Sequence, residues 1–241
     1  MRNRFIGISV LGILISFVGG FFLSNSLNRG EISSLKKENS RLKERSNVET
    51  KPNSAPSLSK KEIEAKISEA ERNKDNFSFQ KNLGLGLYRY AVMKQDKGLL
   101  PEVSKLLERA HALNSDDYDV VVALGDVYFD IGRSKKQNEA IKNARRFYRK
   151  ALAINNNDIN VRTELGMTYF RASPPEYEKA IAEFSESLKI NEKHEKTLES
   201  MIEVLIKRNS KEEAAKYLKT LKKVNPANRS IKVFERQLSG I

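Results

Sequence analysis

Few residues in this 241-residue chain have a type and spacing suited to covalent chemistry. There are two histidines, His111 and His194, and neither has a nucleophile or a further metal ligand at usable spacing. Both read as lying near the ends of second helices, where a cation suits the helix dipole. Acidic pairs such as Asp116 and Asp117 read as helix N-cap chemistry. No Gly-rich phosphate loop, zinc motif or nucleophile elbow occurs. The absence of cysteine excludes any disulfide and a lipoprotein anchor. The expectation is a chain with no catalytic residue, no metal and no cofactor.

What remains is the chemistry of recognition. Three aromatic residues, Tyr88, Phe129 and Phe170, follow one another at a constant interval of 41. Asp126 and Asp130, with Asp119, make an acidic patch beside Phe129, and Lys81, Arg89 and Arg171 place basic groups to either side. A second candidate is the basic run Lys207, Arg208, Lys211, Lys216, Lys219, Lys222 and Lys223. The chain carries +13 overall; residues 196–241 hold +6 of it, whereas residues 116–195 sum to −1. Such an end suits an acidic partner, anionic lipid or nucleic acid, or is simply a solvated helix face. Nucleic acid is not the expected partner, because no reading module for it is present.

These side chains must be positioned by a repeat. The pairs Leu83-Gly84, Leu124-Gly125 and Leu165-Gly166 recur every 41 residues. The second unit continues with Tyr128, Ala144, Tyr148 and Ala151 and closes at Asn155–Asp158. The third continues with Tyr169, Ala180, Phe184 and Ser187 and closes at Asn191. The first is weaker, with Val103, Leu107 and Ala110 before Asn114. A fourth lacks the Leu-Gly pair but keeps Met201-Ile202, Leu205, Ala214, Leu218, Leu221 and Pro226.

Over about residues 77–226 this pattern resembles the tetratricopeptide repeat, a helix–turn–helix unit of about 34 residues. Small residues sit where its two helices cross, an aromatic fills the gap to the next helix, and Pro or Asn stops the second helix. The first two units are longer than the family pattern, with extra residues around Asp96–Pro101 and Arg133–Glu139. These lengthen a loop or a helix end. Pro174-Pro175 read as opening the second helix of the third unit. HEAT-like repeats also run to about 40 residues but lack the Leu-Gly-x-x-Tyr signature.

The resemblance implies an all-α, right-handed superhelical solenoid that binds proteins or peptides and is not an enzyme. It places the first helix of each unit along a concave groove, with Tyr88, Phe129 and Phe170 facing it. There they form either a ladder for a client segment or extra core between adjacent helices. One subfamily grips a C-terminal carboxylate with Lys and Asn side chains. Here Lys81 matches its first place, but Leu85, Ala123, Asn160 and Glu164 stand in the others, so that function is not expected.

Around the repeats, Ser59-Lys60-Lys61-Glu62 reads as a capping box that opens a helix over 59–74, ahead of repeats at about 77–115, 117–157, 159–192 and 195–226. Ile231, Phe234 and Leu238 are spaced for a closing helix over 228–239. Residues 1–30 differ in kind. Phe5 to Leu23 carries no charge, and its length of roughly 28 Å as a helix approaches a bilayer core of ~30 Å. It reads as an N-terminal transmembrane anchor, the rival being a cleaved signal peptide ending near Ser24-Asn25-Ser26. Arg2 and Arg4 favour repeats outside the cytoplasm, in a bacterial envelope, whereas Arg29, Lys36, Lys37, Arg41 and Lys43 pull the other way.

Residues 31–46 read as a charged stalk helix. Ile32, Leu35, Asn39 and Leu42 fall at heptad positions that would allow a homodimer. Residues 47–58 read as a flexible linker. The expected function is a membrane-tethered adaptor for a protein or peptide client. Its architecture is similar to that of assembly factors for c-type cytochromes. The alternatives are a stalk-dimerised organiser of an envelope complex, or docking on anionic lipid or nucleic acid through the basic end.

Overall fold

The computed structural model describes residues 58–135 and 137–239; the proposed anchor and stalk, and the linker as far as residue 57, lie outside them. Two compact units divide the chain, residues 1–69 and 70–241. Helix α1 (Lys60–Arg72), whose first ten residues fall in the first unit, opens on a reciprocal cap. The Ser59 amide and hydroxyl both donate to the Glu62 carboxylate, at 2.7 and 2.8 Å, and the Glu62 amide donates to Ser59 Oγ at 3.2 Å. These bonds hold the Glu62 carboxyl below its usual range.

The second unit is built from helix pairs. They are α2 (Phe77–Lys94) with α3 (Leu100–Leu113), α4 (Tyr118–Lys135) with α5 (Asn138–Ile154), α6 (Ile159–Phe170) with α7 (Tyr177–Ile190), and α8 (Glu195–Lys207) with α9 (Lys211–Val224). Helix α10 (Ile231–Ser239) follows and packs on α8 and α9. Each pair also packs on the next, and the first helices α2, α4, α6 and α8 are neighbours in a row. Among the described residues no helix is long and apolar enough to cross a membrane.

The ends of the helices repeat as faithfully as their cores. Asn76, Asp117 and Asp158 accept the Phe79, Val120 and Val161 amides at 3.0, 3.0 and 2.9 Å, so α2, α4 and α6 share one type of N-cap at one spacing. Asn114, Asn155, Asn191 and Asn225 end the second helices in extended conformation. Each side-chain oxygen then accepts the amide two residues on, a turn suited to asparagine.

Inside each pair the Leu-Gly glycine decides how close the helices come. A Cβ on Gly125 would lie 2.5 Å from Tyr148 Cε1, and one on Gly84 2.8 Å from Leu107 Cδ2. Gly166 stands in the same relation to the ring of Phe184. Tyr148, Phe184 and Leu107 are completely buried. In the fourth pair the same two places hold Ile202 and Leu218, both buried, so the bulk moves from the second helix to the first.

Two expectations need correction. Pro174 and Pro175 do not open α7: its N-cap is Glu176, whose amide donates to the Tyr169 carbonyl at 3.0 Å, a bond proline could not make. His194 is not at the end of a second helix but is the N-cap of α8, where a positive charge is disfavoured. Burial, then Lys196, lowers its pKa. His111 does lie in the last turn of α3, and burial, then Lys150 and Arg146, lowers its pKa too. The extra length of the first two units goes mainly into their first helices: α2 and α4 run for 18 residues each, against 12 and 13 in α6 and α8. Asp96 and Gln137 lie outside helix, and Lys97–Leu99 forms a single 3-10 turn.

Replacing Gly125 by Ala sets a gain in helix propensity of about 1 kcal/mol against an overpacking cost of about 1–3 kcal/mol. The ring of Tyr148 is tethered by its hydroxyl to Asp126 and cannot swing away cheaply. Gly125→Ala should therefore lower the urea midpoint, by about 1 kcal/mol in stability. A raised midpoint would mean that the ring gives way.

Candidate functional site

A cavity of about 320 Å³ opens on the face formed by the first helices. Tyr88 of α2 makes one wall, and Val122, Asp126, Phe129, Asp130 and Arg133 of α4 make the floor. Tyr148 of α5, Asn160, Val161 and Glu164 of α6, and Lys196 of α8 complete it. The α4 residues converge because positions three and four apart lie on one helix face. The other walls exist only because α2, α6 and α8 are stacked beside it.

Hydrogen bonds join the walls. Tyr148 donates to Asp126 Oδ1 at 2.8 Å, and Tyr88 donates to Asp130 Oδ2 at 3.0 Å. Lys196 pairs with Glu164. Burial is the main force on the Asp126 carboxyl and pushes its pKa up to about 7. The bond from Tyr148 and the charge of Lys196 lower it, while Glu164 and Asp130 raise it further. Burial, then Asp126, raises the pKa of both Tyr148 and Tyr88.

Comparison among the repeats shows that this polarity is peculiar to the second. After the signature glycine stand Leu85, Asp126 and Met167, and against the glycine stand Leu107, Tyr148 and Phe184. The Asp130 place holds Arg89 in the first unit and Arg171 in the third. Repeat packing is satisfied by the apolar pairs Leu85/Leu107 and Met167/Phe184. The polar pair Asp126/Tyr148 is an addition that the stacking does not require.

Of the candidate groove residues, Tyr88, Phe129, Asp126 and Asp130 come together in the cavity. They do not form an open aromatic ladder. Phe129 and Phe170 are each only 4% exposed; Phe170 lies 6.1 Å from the Tyr177 ring, and Phe129 is a largely buried part of the cavity lining. Length is the cause: α6 ends at Phe170, so the chain folds back over that ring at once.

Lys81 bonds Asp117 and Asp119 at 2.8 and 2.9 Å, tying α2 to the start of the next repeat. Arg171 holds Glu203 with contacts of 2.8 and 3.0 Å, and Arg89 is exposed away from the cavity. In the basic run, Arg208 bridges Glu178 and Glu213 and Lys222 pairs with Glu235. Lys207, Lys211, Lys216, Lys219 and Lys223 are exposed at the other end of the stack.

Sequence reasoning missed Tyr148, Glu164 and Lys196 as parts of one site. The signal for Tyr148 was present: it is the one hydroxyl-bearing ring at its repeat place, in the one repeat with a carboxylate after the glycine. Among the described residues no three His, Asp or Glu side chains converge to hold a metal ion.

The tetratricopeptide-repeat family profile matches residues 125–158, the second repeat, which carries the cavity's aspartates. This is a tetratricopeptide-repeat fold. No curated protein matches the chain in sequence. Among solved structures, MamA superposes at a TM-score of 0.55 with 20% identity, over 68% of this chain and 87% of that one. YrrB, described as a tetratricopeptide protein with an unusual peptide-binding site, reaches 0.57 with 16% identity, over 73% and 82%. A thermophilic tetratricopeptide protein of Thermus thermophilus, TTC0263, reaches 0.56 with 14% identity, over 74% and 89%. At these identities the likeness is one of fold.

A carboxyl with a pKa of about 7 when folded and about 3.8 otherwise is protonated in the native state where the unfolded chain has lost its proton. Its contribution is fully present below the unfolded value and is lost as pH rises through the folded one. Stability should therefore fall between about pH 4 and pH 7, by a few kcal/mol from this group. Asp126→Asn should flatten that slope and raise the melting temperature at neutral pH; an unchanged profile would place Asp126 in contact with water. Phe170→Ala should cost about 3–5 kcal/mol in a urea titration, as a core residue does; a loss within 1 kcal/mol would return it to the surface.

Proposed function

We propose that this chain is a scaffold that captures a protein or peptide segment on the face of its first helices. The observation that carries this reading is the cavity, which opens between consecutive repeats where a passing chain could lodge a side chain. The likeness in fold to YrrB, whose peptide-binding site is part of its description, supports the reading.

The finer reading is an adaptor tethered to a membrane through Phe5–Leu23, with its repeats on the extracytoplasmic side, serving assembly of an envelope complex. Its support is the length and uncharged character of that segment and the adjacent Arg2 and Arg4.

A randomised peptide library screened against the chain tests the scaffold reading. It should enrich defined sequences, and Val122→Trp, which fills the cavity with an uncharged ring, should abolish their binding. Lys142→Glu on the exposed side of α5 should not. Failure to enrich any peptide, or equal binding by the Val122 variant, would overturn it. A topology reporter fused after Ile241 tests the finer reading, and a cytoplasmic signal would remove the envelope from it.

A further inference from the structure

We propose that the cavity receives a cationic side chain, arginine or lysine, from the captured segment. The inference rests on the peptide-binding reading and adds the chemistry of the guest. About 320 Å³ is the low end of the ~300–1,000 Å³ typical of ligand pockets, so one long side chain fits better than a folded motif.

Charge selects which side chain. Glu164 already has Lys196. Among the described residues the hydrogen-bond donors to Asp126 and Asp130 are phenols, Tyr148 and Tyr88, which supply no positive charge. Arg133 and Lys196 also line the cavity, but among the described residues neither Asp126 nor Asp130 is held in an ion pair. Two acidic groups thus sit in a partly desolvated space without a direct cationic partner. Asp126, at a place where the flanking repeats hold Leu85 and Met167, acts against stability at neutral pH rather than for it.

The aromatic wall gives a second, independent reason. An arginine of the chain itself, Arg133, sits at the rim with its guanidinium 5.5 Å from the Phe129 ring centroid. The wall thus already accepts a guanidinium on its face, the geometry of a cation–π contact. A guest entering beside it meets Tyr88 and the two carboxylates.

Binding is then linked to protons. The groups that face Asp126 are Tyr88 on α2, Asp130 and Arg133 on α4, Tyr148 on α5, Glu164 on α6 and Lys196 on α8. An added cation favours the ionised carboxylate, so Asp126 releases its proton to solvent as the guest arrives. Affinity therefore rises as pH rises through about 7.

The test uses the whole chain and two blocked pentapeptides, one with a central arginine and one with uncharged citrulline in its place. Calorimetry should show the arginine peptide binding about tenfold or more tightly. That gap should widen from about pH 6 to about pH 8, and heats near neutrality should depend on the ionisation enthalpy of the buffer, the mark of proton release. Asp126→Asn, which favours folding, and Asp130→Asn should each close most of the gap. Equal affinity for the two peptides, or an unchanged gap in Asp126→Asn, overturns the proposal. A library that enriches peptides lacking basic residues, still blocked by Val122→Trp, sinks the cation pocket and leaves the scaffold standing. A library that enriches nothing sinks both.

Discussion

The glycine of one helix lying against a large buried side chain of its partner is the contact on which the rest of this structure depends. At Gly84, Gly125 and Gly166 there is no space for a Cβ, because Leu107, Tyr148 and Phe184 fill it. That close approach holds the two helices of a pair together. It also leaves the outward side of the first helix free to neighbour the first helices of adjacent units. Helices α2, α4, α6 and α8 stand in a row as a result. No single pair could bury its apolar side alone, so each unit completes the core of the next.

The site borrows this contact. In the second pair the large side chain is a tyrosine, and its hydroxyl reaches past the glycine to Asp126, the next residue of the same helix. One oxygen atom turns a packing residue into the inner wall of a cavity. The carboxylate it holds is poorly solvated, with its pKa near neutrality. A neutral pair of the Leu85/Leu107 type would pack as well without a buried charge. Functional sites commonly cost stability in this way, and here the cost falls on a repeat whose neighbours show the cheaper solution.

Other polar residues are used differently, as ties between successive units. Lys81 ties α2 to Asp117 and Asp119, and Tyr118 ties the start of α4 to Asp158, the cap of α6. Arg171 is spent on Glu203 of α8. These bonds run from each first helix to the next and fix their spacing, and thereby the width of the cavity between them. Side chains that looked like groove ligands are in this sense its framework, and the polar residues left over are those of the second repeat.

Helix type, pairing and repeat length were legible in the sequence, because they rest on local or periodic rules. Small residues mark close crossings, Asn and Asp mark helix ends, and Ser59 with Glu62 marks a start. The constant interval of 41 carried Tyr88, Phe129 and Phe170 correctly to equivalent turns. It could not tell a ring on a face from a ring in a core, because that depends on what the following segment covers. Phe170 is buried since α6 stops there, and Lys81 is engaged since Asp117 happens to lie within reach. Tyr88, Asp126, Tyr148, Glu164 and Lys196 span more than a hundred residues of chain and five helices. Their meeting is a matter of stacking distance, set by contacts between helices that no local pattern encodes. The sequence determined the repeat; only the tertiary structure decided which of its residues share a cavity.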